Sequence, residues 1–89
     1  MATRQSIEEF LERCEEVLEF AKEQYIEGSK QEHYYDEQFQ QALQQLEEAY
    51  NDLMHLSQSA NAQQKEQLHR MRLQLQQLQN DMILLDHDR

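Results

Sequence analysis

Apolar residues recur at intervals of three and four along most of the chain. Ile7, Phe10, Leu11, Cys14, Val17, Leu18, Ala21 and Tyr25 outline one face of a first helix, because side chains three or four apart share a side of an α-helix. The stripe is broad, with Leu11, Leu18 and Tyr25 flanking the main seam, as suits a bundle helix that touches two neighbours. Ser6-Ile7-Glu8-Glu9 reads as a capping box at its start, a hydroxyl and a carboxylate three residues apart satisfying two orphaned N–H groups. Gly28-Ser29 interrupts the stripe, and glycine is favoured just past a helix end. Ser29-Lys30-Gln31-Glu32 then repeats the capping pattern. The expectation is a tight turn between helices over 7–27 and 30–57.

The second helix carries Tyr35, Phe39, Ala42, Leu43, Leu46, Ala49, Tyr50, Leu53 and Leu56, again at three-four spacing. It runs into Ser57-Gln58-Ser59-Ala60-Asn61, a small polar cluster of the kind that joins helices. Asn61-Ala62-Gln63-Gln64 is placed to cap a third helix over 62–85, whose seam of Leu68, Met71, Leu75, Leu78, Met82 and Leu85 is coiled-coil-like. The predicted fold is all-α, an antiparallel three-helix bundle in a single domain. A second arrangement stays open. Counting by sevens from Ile7 gives Cys14, Ala21, Gly28, Tyr35, Ala42, Ala49 and Leu56, so one long helix over 7–57 plus helix 62–85, paired with a second chain in a dimer, also satisfies the pattern.

Composition narrows the class. Among 89 residues there are no prolines or tryptophans, one glycine and one cysteine. One thiol closes no disulfide loop, and scarce Gly/Pro turns disfavour a β-rich fold. The longest apolar run, Met82-Ile83-Leu84-Leu85, is far short of the roughly 20 residues of a membrane span. The start, Met1-Ala2-Thr3-Arg4-Gln5-Ser6, has no apolar signal-like core, and a lone Cys14 suits a reducing compartment. A soluble cytoplasmic protein is expected.

Charge is uneven. Residues 7–52 hold fourteen acids and three bases, a sum of −11, whereas residues 53–89 hold four of each; with Arg4 the chain carries −10. Such an acidic half repels phosphates, which argues against nucleic-acid or anionic-membrane binding. It leaves open a role as an acidic decoy for a basic protein surface, or simply a solvated face.

Candidate chemistry is sparse. Asp52-Leu53-Met54-His55 and Glu66-Gln67-Leu68-His69 have the acid-x-x-His spacing used in helical di-metal centres. With Leu53 and Leu56, and Leu68 and Met71, turned to the core, His55, Glu66 and His69 point outward, so the pattern argues against a metal site there. Glu32-His33-Tyr34-Tyr35-Asp36-Glu37 gathers titratable groups after the expected turn, without a pocket implied around them. Cys14 falls on the buried seam, where thiols behave as small hydrophobes. No phosphate loop, Cys-x-x-Cys pair or nucleophile triad is present. The chain reads as a non-enzyme that implies no cofactor.

A second stripe on the third helix changes that picture. Leu73 and Leu84 project together off the core seam, with uncharged Gln76, Gln77 and Asn80 between them and Arg70 and Arg72 near one end. An uncharged face bearing two leucines, on the helix free of acidic excess, is the expected place for a protein partner or self-association.

The segments Met1-Ala2-Thr3-Arg4-Gln5-Ser6, Ser29-Lys30-Gln31-Glu32-His33-Tyr34 and Arg70-Met71-Arg72-Leu73-Gln74-Leu75-Gln76 resemble the YtzC-like family of short acidic bacterial proteins of unknown function. That resemblance implies a cytoplasmic bacterial protein without assigned catalysis. The functional expectation is a small interaction or self-association module using the third helix. The alternatives are a metal- or ligand-binding bundle and the acidic decoy.

Overall fold

The computed structural model of the chain describes residues 3–31 and 37–87. It comprises α1 (Arg4–Gln31), α2 (Glu37–Ser57) and α3 (Ala62–His87), each packed against the other two. The molecule measures 43 × 18 × 15 Å, and 28 residues of α1 at about 1.5 Å each account for the long axis. An unbroken helix over 7–57 would be about 76 Å long, so the long-helix arrangement is excluded and the antiparallel bundle stands. Contacts fix the directions. Arg13 of α1 meets Asp52 of α2, whereas Arg4 and Ile7 of α1 share a cleft with Gln64 and Gln67 of α3. The helices therefore run up, down and up.

The chain does not turn at Gly28-Ser29. Both residues lie inside α1, which continues to Gln31, and α2 begins at Glu37 rather than residue 30. Glycine tolerates the left-handed conformation but does not require it. Within a helix it costs only about 1 kcal/mol relative to alanine, less than further helical hydrogen bonds return. The same fact removes Ser29 as a helix cap. Of the titratable cluster at 32–37, and of Tyr35 as a seam residue, only Glu37 falls within the described residues, exposed at the start of α2.

The first cap also shifts. Thr3, not Ser6, precedes α1: its backbone N–H donates to Ser6 Oγ and the Ser6 N–H donates to Thr3 Oγ1, both at 3.1 Å. Ser6 takes the third helical position, where it serves as the reciprocal partner usually supplied by Glu or Gln. Asn61 caps α3 as expected, its N–H donating to Gln64 Oε1 at 3.0 Å while Asn61 Oδ1 accepts from the Gln64 N–H at 2.8 Å.

The core is continuous. Ile7, Cys14, Leu18 and Ala21 from α1 meet Phe39, Ala42, Leu46, Ala49 and Leu53 from α2 and Leu68, Met71, Leu75, Leu78 and Met82 from α3. Phe10, Leu11, Val17, Tyr25, Leu43, Leu56 and Leu85 are partly buried against it. Alanines at 21, 42 and 49 are buried, and such small side chains let helix backbones approach while the larger ones fill the layers between.

Candidate interaction surface

The strict three-four seam of α3 determines what its other side presents. At about 100° per residue, Leu73 and Leu84 fall within about 20° of one another and opposite the Leu68–Leu85 seam. Both are exposed, at 50% and 61%. Between them Asn80 and Gln77 are exposed and Gln76 is half-buried. Gln77 Nε2 donates to Asp81 Oδ1 at 3.1 Å, which ties that carboxylate to its own helix. Ile83 is a third exposed apolar residue of this helix, unremarked in the sequence. Its signal lies in the run Met82-Ile83-Leu84-Leu85, whose outer two residues take the seam and turn the inner two outward.

Shallow grooves flank the stripe. On the α1 side Leu73, Gln74 and Gln77 rise over buried Leu18 and Leu78, with Lys22 and Asp81 at the rim. On the α2 side Ile83 and Gln79 face Leu43 and Glu47. At the basic end, Arg70 Nη2 donates to Glu66 Oε1 at 3.0 Å, and Arg72 Nη2 lies 3.3 Å from His69 Nδ1.

The two acid-x-x-His pairs occupy separate settings. Asp52 is exposed and paired with Arg13 at 3.1 Å. His55 shares with Asp52 a shallow hollow also lined by Phe10, Leu56 and Ser59. Glu66 is held by Arg70, and His69 is exposed beside Arg72. Among the described residues no three His, Cys, Asp or Glu side chains gather as a metal-binding group. Cys14 is 1% exposed. Burial pushes its thiol from 9.0 up to about 11, with nearby Arg13 opposing the shift and Asp52 and Glu15 adding to it. This thiol is therefore protonated at neutral pH, and protonated thiols are poor nucleophiles.

Glutamates 8, 12, 15, 16, 19, 23 and 27 are exposed along α1, so the acidic half and the uncharged stripe belong to different helices. Among the described residues no helix is long and apolar enough to cross a membrane.

No solved structure matches the chain. It is 56% identical over 84 residues to Uncharacterized protein YtzC of Bacillus subtilis (strain 168), covering 94% of this chain and 93% of the relative. Residues 1–84 match the family described as Protein of unknown function (DUF2524). The chain belongs to that family.

Proposed function

We propose that the protein is a non-catalytic docking module of the cytoplasm that engages a protein partner through the outward side of α3. One observation carries this reading. Of the five large apolar side chains exposed among the described residues, Leu73, Ile83 and Leu84 lie on α3, while Ile26 and Met54 stand alone on α1 and α2. Isolated exposed leucines are ordinary, but apolar residues grouped around uncharged amides favour a docking face. The partner is a protein rather than nucleic acid or an anionic membrane, because a net charge of −10 opposes phosphate-rich surfaces. The groups that chemistry would need are otherwise engaged. Asp52 and Glu66 are ion-paired, and the Cys14 thiol is buried.

A photo-cross-linking residue placed at position 84, with a control at exposed Glu16 on α1, tests the reading in cells that make the protein. Adducts at 84 and none at 16 are expected. Equal labelling at both positions, or no adduct at 84, overturns it.

A further inference from the structure

We infer that the occupant of the α3 face is a second copy of this chain, lying antiparallel to the first about a two-fold axis midway between Leu73 and Leu84. The inference rests on the docking role proposed above and supplies its partner. Charge along α3 is segregated. Residues 62–72 contain Lys65, Glu66, Arg70 and Arg72, a sum of +2, while residues 73–87 contain Asp81 and Asp86, a sum of −2. A two-fold axis at the middle of the stripe sets the basic end of each helix against the acidic end of the other. A parallel pair would stack like charge on like. The same axis places Leu73 opposite Leu84 of the other copy twice over, with Gln77 facing Asn80 between them, the self-complementary arrangement that closed dimers require.

Net charge favours this side over the others. Two copies at −10 each repel, and most of that charge lies in residues 7–52. Contact through the outward side of α3 uses residues 53–89, whose charges sum to zero. A basic partner, by contrast, would be drawn to α1. One helix face of 26 residues belongs to the small, transient class of interface, below about 1,200 Å² in total. The expected dissociation constant is therefore weak, roughly 1–100 μM.

Sedimentation velocity across that range tests the inference on the full chain. The mass should rise from monomer to dimer. Leu84→Glu should weaken association about tenfold or more while leaving the circular dichroism spectrum unchanged, since Leu84 is exposed. Orientation is read by oxidation in a Cys14→Ala background. Chains carrying Leu73→Cys mixed with chains carrying Leu84→Cys should form the mixed disulfide. Either variant alone should not, because its two thiols would sit about 16 Å apart along the axis, beyond disulfide reach. A monomer at every concentration, a dimer indifferent to Leu84→Glu, or disulfides within a single variant overturns the inference. Photo-adducts at position 84 of any mass other than two chains also overturn it while leaving the docking role intact, whereas no adduct at all removes both.

Discussion

Arg13 Nη2 and Asp52 Oδ2 meet at 3.1 Å across the α1–α2 seam, although 39 positions separate them in sequence. Arg13 also lies over the ring of Phe10, 5.4 Å from its centroid. Both charged side chains are more than half exposed, so the ion pair contributes only about 0.2–1 kcal/mol. Asp52→Asn should cost no more than that. Arg13→Ala should cost more, about 1–2 kcal/mol, because it also removes the ring contact. Urea denaturation of both single variants and the double variant measures the coupling. Equal losses from the two substitutions would contradict the ring's contribution.

Gly28 offers a direct check on where α1 ends. In a helical position, replacing glycine with alanine stabilises by about 0.5–1 kcal/mol. At a left-handed helix end the same change destabilises. Gly28→Ala should therefore raise the melting temperature, and a fall would restore the turn that the sequence suggests.

Salt should stabilise the protein. Glu8–Glu12, Glu12–Glu16, Glu15–Glu19, Glu19–Glu23 and Glu23–Glu27 all fall within α1, where like charges four apart cost about 0.2–0.5 kcal/mol each. Screening relieves part of that cost. Thermal melts between low and moderate sodium chloride should shift upward, and a flat or falling series would be inconsistent with a strained acidic helix.

The Asn61 cap should be worth about 1 kcal/mol. Asn61→Ala removes the acceptor of the Gln64 N–H, within the range of about 0.5–2 kcal/mol measured for such caps. Asn61→Asp keeps that acceptor and should retain most of the stability. Comparing the two by denaturation separates the cap from the mere presence of a turn residue.

Cys14 should make stability fall at alkaline pH. Burial pushes its folded thiol up to about 11 from the ordinary 9.0. Below pH 9 both states hold the proton and the full contribution is present. Between pH 9 and 11 the unfolded chain releases it while the folded chain does not, so stability declines as pH rises. Wild type and Cys14→Ala compared by urea melts at several pH values isolate this effect. The stability gap between them should narrow above pH 9, and a constant gap would mean the thiol is not held protonated.

The periodic parts of the fold were legible and the permissive parts were not. Leu68, Met71, Leu75, Leu78 and Met82 follow strict three-four spacing and all are buried, because helical geometry leaves them one direction to face. The outward setting of Leu73 and Leu84 follows from the same angle. Gly28 misled because a residue compatible with a turn is also compatible, at small cost, with a helix. Ser6 misled because Thr3 is an equally good cap one turn earlier, leaving Ser6 to answer it. The Arg13–Asp52 pair was hidden for another reason: pairing between surface charges on different helices depends on the rotation of α1 against α2, which no local spacing encodes.

The up-down-up course of three helices has a mechanical corollary. An odd number of passes delivers Thr3 and His87 to opposite poles of a rod whose long dimension is 43 Å. Anything tethered before α1 and anything tethered after α3 would therefore be separated by the length of the molecule.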